Sequence, residues 1–518
     1  MRWLALVCVL AACGEQMGPL DVELDTGIVR GADDGNGVRS WLGIPYAAPP
    51  VGPLRWKPPQ RPAPWDGTRD ATHVGAKCPQ NTVITPGGGT EDCLSLNVWT
   101  PSSPHGSKGL PVMVWIHGGA FVFGSGGDPF YSGAELARTR GVVVVSINYR
   151  LGGLGFLAHP ALAAEDPDHT SGNYGLLDQL AALEWVQRNI GGFGGDPAHV
   201  TLFGESAGGF STCVHYANPS TANLFERAIV ESGACLDNGL AQTREQAESD
   251  GLAFGDKVGC PGSDAAALAC MRDVADFDVL DATSLPPIDM QRPGGFLYES
   301  FPPNTLPNID GVVIPAPIEV TLAAGDYPKR PIILGTNRDE GTLFHSSILS
   351  NKVKDEQEYR DALARRFPGL VDEIVARYPV ASYPSPNDAL AAVSGDSFFV
   401  CPARRNARAL TAAGVPVYRY VFQRLLDGAS FPELGAFHSS EIPFVFGVDA
   451  YPLGHVGSAT VLAEAMQAFW TTFAKTGDPG TGWPRYDAAT DAHVVLDEPV
   501  ATGTSYKSAL CDFWDANR

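Results

Sequence analysis

Several functional classes are excluded by what this sequence lacks. Past its first residues, no apolar run approaches the roughly eighteen that a bilayer-spanning helix needs, which argues against a helical membrane span. There is no C-x-x-C pair and no H-E-x-x-H, and the eleven histidines are scattered, so a metal site has no support. No unblocked N-x-[ST] sequon occurs, because Pro219 interrupts Asn218-Pro219-Ser220. Bases are few: 36 Lys and Arg stand against 58 Asp and Glu, a net charge of −22 with histidine neutral. With no Lys/Arg cluster, that balance repels phosphate and argues against a nucleic-acid partner. It favours solubility and neutral or cationic substrates. No repeat or low-complexity linker interrupts the chain. The 44% hydrophobic and 18% charged content is that of a globular protein, which rules out wholesale disorder. At 518 residues and 54.9 kDa, the length allows two to four average domains or one large α/β domain.

The first residues have export grammar. Arg2 precedes an apolar stretch from Trp3 to Leu10, followed by small residues. Leu10-Ala11-Ala12-Cys13 resembles a bacterial lipobox, in which the cysteine thiol is acylated and becomes the mature N-terminus. The expectation is a signal peptide over 1–12, lipidated Cys13, and a single domain over 13–518. The protein would then be a membrane-anchored lipoprotein, periplasmic or at the cell surface, or a secreted protein if Cys13 stays free. Of ten cysteines, removing Cys8 with the signal and Cys13 by lipidation leaves eight, an even number that suggests disulfides in an exported protein.

Along the chain, β-branched runs alternate with amphipathic stretches. Leu94 to Trp99, Val112 to Ile116, Val142 to Ile147, Val200 to Phe203, Ala228 to Glu231, Ile332 to Leu334 and Val417 to Phe422 read as strands. Val142 to Val145 shows no alternation, as expected of a strand covered on both faces. Leu176 to Ile190 reads as a helix with Leu176, Leu180 and Leu183 on one face. Thr460 to Lys475 reads as another, striped by Leu462, Met466, Phe469 and Phe473 and ended by Gly477-Asp478-Pro479. This alternation indicates an α/β protein with a large, mainly parallel sheet flanked by helices. Long Gly/Pro-rich loops around 78–93 and 285–310 are of the kind that build a site.

Two motifs carry chemistry. Strand Val200 to Phe203 runs into Gly204-Glu205-Ser206-Ala207-Gly208, a G-x-S-x-G between strand and helix. A sharp turn there lifts the serine Oγ out of the sheet, and glycines let the backbone pack beside it. Upstream, strand Val112 to Ile116 ends in His117-Gly118-Gly119-Ala120-Phe121. Acyl transfer needs preorganised N–H donors for a developing oxyanion, and Gly119, Ala120 and Ala207 are the candidates. His117 precedes the serine in chain order and reads as a buried histidine holding its loop. A general base and an acid should follow in the order Ser, acid, His. On residues alone His345, His438, His455 and His493 all qualify.

Together these motifs resemble the type B carboxylesterase family of the α/β-hydrolase fold, the group that includes bacterial p-nitrobenzyl esterases and the cholinesterases. The likeness runs from about Gly27 to Trp514. It is carried by Gly43-Ile44-Pro45-Tyr46-Ala47 with Pro49-Pro50-Val51-Gly52, by Glu91-Asp92-Cys93-Leu94-Ser95-Leu96-Asn97-Val98, and by Phe203 to Gly209. Ser95 departs from the pattern, standing where an aromatic is usual. The resemblance selects Glu340, in Gly335 to Gly341, and His438, in Phe437 to Gly447, as the partners of Ser206, with Asp339 as the rival acid. It puts Gly118, Glu205 and Ser232 beside the triad, and implies no cofactor. It also implies disulfides Cys78–Cys93, Cys260–Cys270 and Cys401–Cys511. Cys213 and Cys235 are left to pair by elimination, with Cys213 two turns down a helix and too far for an obvious bond.

The resemblance implies a serine carboxylesterase of broad range acting on small-molecule esters. Choline esters are not the expected substrate, because the segment Cys78 to Cys93 contains no Trp, Tyr or Phe to hold a quaternary ammonium. The strip Gly118-Gly119-Ala120-Phe121, where many relatives have three glycines, implies a roomy alcohol pocket. The competing readings are a binding or adhesion module on the same scaffold and a hydrolase acting mainly on amides, thioesters or lactones.

Overall fold

The computed structural model describes residues 17–81, 88–102, 109–233, 235, 240–283, 304–346, 352–449 and 451–517. The lipobox and Cys13 lie outside these residues, as do parts of the loops around 78–93 and 285–310. At the centre stands an eleven-stranded sheet. In chain order its strands are β1 (Ala32–Asp33), β2 (Val38–Pro45), β3 (Ser95–Pro101), β4 (Leu110–Ile116), β5 (Val143–Ile147), β6 (Gly195–Glu205), β7 (Arg227–Glu231), β8 (Ile332–Asn337), β9 (Val417–Phe422), β10 (His493–Leu496) and β11 (Ala501–Gly503). In space they run β11-β10-β9-β8-β7-β6-β4-β5-β3-β2-β1. The block from β5 through β4, β6, β7, β8 and β9 to β10 is parallel, and the strands at both edges pair antiparallel. The sheet is therefore mainly parallel, as the βα alternation indicates.

The valine run of β5 shows why its sequence does not alternate. Val143, Val145 and Ile147 point into one apolar core, Val142 and Val144 into another on the opposite face, and all five are fully buried. A strand covered on both sides has no polar face to advertise. β2 is less legible in sequence: Val38, Trp41 and Ile44 are buried among half-buried neighbours, and its pairing with β3 shifts register between Trp41 and Ile44. A bulge of this kind breaks the period of two.

Helix α1 (Tyr174–Asn189) buries Leu176, Gln179, Ala182, Leu183 and Val186, leaving Leu180 half-exposed. The expected leucine face is thus rotated. Gln179 takes the buried place because its Nε2 donates to Ser211 Oγ at 3.0 Å and its Oε1 meets His215 Nε2 at 2.9 Å. Both partners lie on α2 (Ala207–Ala217), which follows β6 and is buried along its whole length. In α3 (Thr460–Thr476), Leu462, Met466, Trp470 and Phe473 face the core while Phe469 is only partly covered. Gly477, left-handed at φ 78°, closes that helix.

Four disulfides are formed: Cys78–Cys93, Cys213–Cys235, Cys260–Cys270 and Cys401–Cys511. Cys213 and Cys235 do reach each other, with Cα atoms 4.9 Å apart. The expected obstacle disappears because α2 packs along β7, so the chain leaving β7 passes its flank. Cys401–Cys511 spans 110 residues and ties the C-terminal helix Ser508–Ala516 to the body. Long loops gain most from closure. The double variant Cys401→Ser/Cys511→Ser is expected to lose about 2–5 kcal/mol of stability. Denaturant unfolding measures this, and an unchanged midpoint would contradict it.

Candidate active site

The site forms at the C-terminal ends of β4, β6, β7 and β8 and on the loop after β9. β6 ends at Glu205 and α2 begins at Ala207, so Ser206 is the whole turn. Its backbone sits at φ 56°, ψ −121°, a conformation that non-glycine residues seldom adopt. Two contacts hold it: Ser206 N donates to Glu231 O at 2.9 Å, and Phe210 N donates to Ser206 O at 2.9 Å. Close packing demands glycine next door. A Cβ on Gly208 would lie 2.0 Å from Ile116 O, at the end of β4. A Cβ on Gly118 would lie 2.7 Å from Glu205 Oε2 and 3.0 Å from Ser206 Cβ. The His117–Phe121 strip therefore runs directly over the serine.

Glu340 follows β8 and is 1% exposed. Its Oε1 accepts from Asn337 N at 2.7 Å and from Ser232 Oγ at 2.6 Å, and its Oε2 meets His438 Nδ1 at 2.7 Å. The loops bearing Glu340 and His438 are fastened together, with Asp339 N donating to Ala436 O at 3.0 Å and Asn337 Nδ2 to Phe437 O at 2.7 Å. Phe344 and Phe399, stacked on each other at 5.8 Å, both pack against the His438 ring, at 5.0 and 4.7 Å between centroids. The imidazole has little freedom to turn. Its Nε2 lies 3.1 Å from Glu205 Oε1, but not in hydrogen-bond geometry, and neither atom has a hydrogen-bond partner among the described residues. Nε2 thus makes no hydrogen bond among them and lies against Glu205, the residue before Ser206.

The other candidates are engaged elsewhere. Asp339 Oδ2 accepts from Ala436 N at 2.8 Å and from Arg338 Nε at 2.9 Å. His345 is buried with Nε2 against Ser394 Oγ at 2.6 Å, His493 Nδ1 faces Asp491 O at 3.0 Å, and His455 is half-exposed near Asp449. His117 is buried, its Nδ1 2.7 Å from Gly118 O and its ring stacked on Tyr149 at 4.4 Å. Burial holds it down to about 4, so it stays neutral. The N–H groups of Gly119, Ala120 and Ala207 donate to nothing among the described residues.

The sequence matches the Carboxylesterase family over residues 19–514. The chain belongs to that family. It is 38% identical over 479 residues to Fumonisin B1 esterase of Sphingopyxis macrogoltabida, an alignment covering 89% of this chain and 84% of that protein. It is 38% identical over 489 residues to para-nitrobenzyl esterase of Bacillus subtilis (strain 168), covering 92% and 94%. A solved structure of PNB esterase superposes with a TM-score of 0.81 at 37% identity, over 95% of this chain and 99% of that one. The protein is a carboxylic ester hydrolase of the α/β-hydrolase fold.

Residues missed by sequence reasoning complete this esterase's site. Glu231 and Glu441 are fully buried close to Glu205 and Glu340. Glu231 Oε1 accepts from Trp470 Nε1 at 2.7 Å, and Glu441 Oε2 accepts from Asn337 Nδ2. Their signal was available: each is a lone acid at the edge of an apolar run. Phe399 left none, because its place in a π-helical turn, Asp396–Val400, is not periodic. Burial, and then the neighbouring Glu340, push Glu441 up to about 8. Glu205 and Glu231 are raised by burial and then by neighbouring carboxylates.

Carboxyls raised in the folded state hold protons that the unfolded chain has already released. Their contribution is fully present below the ordinary value of 4.5 and is lost as pH rises through the folded value, here about 8 for Glu441. Each such proton costs about 1.4 kcal/mol per pH unit across that window. Stability should therefore fall between pH about 5 and 8, and Glu441→Gln should flatten the fall. Melting temperatures of the two proteins across that range measure it, and parallel curves would contradict the assignment.

Proposed function

We propose that the esterase works through an acyl-enzyme on Ser206, with His438 as general base and Glu340 as its partner. Ser206 Oγ attacks the ester carbonyl carbon while His438 Nε2 takes the serine proton. Collapse of the tetrahedral intermediate breaks the bond to the alcohol, which leaves with the proton from Nε2. Water then attacks the acyl-serine by the same route and releases the acid. Glu340, accepting at Nδ1, fixes the tautomer and stabilises the imidazolium. The oxyanion is held by the N–H groups of Gly119, Ala120 and Ala207, and the positive end of α2 adds to that field.

What supports this reading is the His438 imidazole, held at Nδ1 by Glu340, whose Nε2 makes no hydrogen bond among the described residues and lies 3.1 Å from Oε1 of Glu205, the residue before a serine held at φ 56°. Substrates are small neutral esters of broad acyl and alcohol type. The net charge of −22 disfavours polyanionic esters, and the segment Cys78 to Cys93 offers no aromatic ring for a choline head. Purified Ser206→Ala should lose about 10³-fold or more in kcat on p-nitrophenyl butyrate while keeping its melting temperature. Near wild-type turnover would overturn the assignment.

The same proposal extends to location: a mature chain beginning at lipidated Cys13 on a bacterial membrane surface. Leu10-Ala11-Ala12-Cys13 supports it, as do four disulfides of the kind that persist in oxidising compartments. Two or three acyl chains would hold the anchor, at about 0.8 kcal/mol for each buried CH₂. On expression of the full chain in a bacterium, the wild type should fractionate with membranes and Cys13→Ala with the soluble export fraction. Equal soluble recovery of both would contradict the anchor.

A further inference from the structure

The strip that carries the proposed oxyanion donors is clamped from outside by a side chain with no part in the triad. Gln80, two residues beyond the Cys78–Cys93 bond, is 1% exposed. Its carboxamide pairs with Gly124 as a second backbone would. Nε2 donates to Gly124 O at 3.0 Å, and Gly124 N donates to Oε1 at 3.1 Å. Nε2 also donates to Cys78 O at 3.1 Å, and the Gln80 backbone exchanges bonds with Gly88 at 3.0 and 3.1 Å. Gln80 is thus fixed by its bridge to Gly88 and grips the loop opposite.

What Gly124 touches gives the grip a consequence. It sits at φ 112°, where a Cβ would lie 2.4 Å from His117 Nδ1 and 2.9 Å from Gly118 O. Gly124 therefore packs on the His117 imidazole at the point where Nδ1 meets Gly118 O, 2.7 Å away. A carbonyl only accepts, so Nδ1 carries the proton and donates. The peptide linking Gly118 to Gly119 is planar and trans, so its C=O and N–H point in opposite directions. Fixing Gly118 O by His117 fixes the direction of Gly119 N–H. Inside the segment, Val122 N and Phe123 N donate to Gly119 O at 2.9 and 3.1 Å and Gly152 N donates to Phe121 O at 2.7 Å, but none of these bonds reaches Gly118 O. Tyr149 OH holds His117 O at 2.9 Å, and Asn148 holds Gly126 N at 2.8 Å, on either side of the Gly118–Gly124 segment.

We propose that Gln80 is a positioning residue for ester hydrolysis: by seating Gly124 on His117, it aims the Gly119 N–H at the oxyanion. The inference rests on the acyl-enzyme reading above. An oxyanion donor acts in the transition state and not on bound substrate. Losing its aim should lower kcat and leave KM alone.

Gln80→Met keeps the shape and removes both bonds to Gly124. Per active site, titrated with a fluorophosphonate, its kcat on p-nitrophenyl butyrate should fall about tenfold with KM within about twofold. The Ki of a trifluoromethyl ketone, which forms the tetrahedral oxyanion on the serine, should rise by a similar factor. A purely structural role would instead lower the number of titratable sites and leave kcat per site and Ki unchanged, which would overturn the proposal. Gln80→Glu, which keeps an acceptor for Gly124 N but loses the donor to Gly124 O, is the second variant and should move kcat and Ki in the same directions. Wild-type values in Gln80→Met, with Ser206→Ala inactive, would overturn the role of Gln80 alone. Turnover retained by Ser206→Ala would overturn the acyl-enzyme reading and this proposal with it.

Discussion

The site depends on one constraint: backbone must pass over backbone at the end of β6 with no side chain between. Ser206 occupies a conformation that costs of order 1–3 kcal/mol for a non-glycine residue, and its bonds to Glu231 O and from Phe210 N hold it there. Gly208 meets the end of β4 and Gly118 meets the serine itself, each closer than a methyl group could come. The parallel order β4-β6-β7-β8 then delivers the Gly118–Phe121 strip, Ser206, Ser232 and Glu340 to one edge of the sheet. Packing elsewhere in the molecule holds that edge in place. α2 is buried along its length, and Gln179, Ser211 and His215 bind it to α1.

Four buried glutamates, 205, 231, 340 and 441, lie close to one another at the site. They are not equivalent. Glu340 is fully provided with donors, two from Asn337 N and Ser232 Oγ and one from the histidine. Burial and mutual repulsion push the other three toward the protonated form. Environment, not residue type, sets those three apart.

Much of this was legible in the sequence. The valine run of β5, the strand entering Gly204-Glu205-Ser206 and the glycine strip after β4 announce themselves because local rules and the global fold agree there. Choosing Glu340 over Asp339, and His438 over three other histidines, required the family resemblance. One residue along a loop reverses which side chain faces the site, and no periodicity records that. The Cys213–Cys235 bond, the rotated face of α1 and the grip of Gln80 on Gly124 were not legible. Each depends on contacts between segments far apart in sequence. Gln179 looks polar until Ser211 and His215 are placed opposite it, and Gln80 looks like a loop glutamine until Gly124 is.

The central claim is that Ser206 is the nucleophile of a charged-and-released acyl-enzyme. Labelling tests it most directly: the folded full-length protein is incubated with a fluorophosphonate, its intact mass is measured, and the modified peptide is sequenced. One phosphonyl group per chain is expected, on Ser206, with loss of esterase activity in proportion to labelling. A label on Ser232 or another residue, or full inactivation without modification of Ser206, would contradict it.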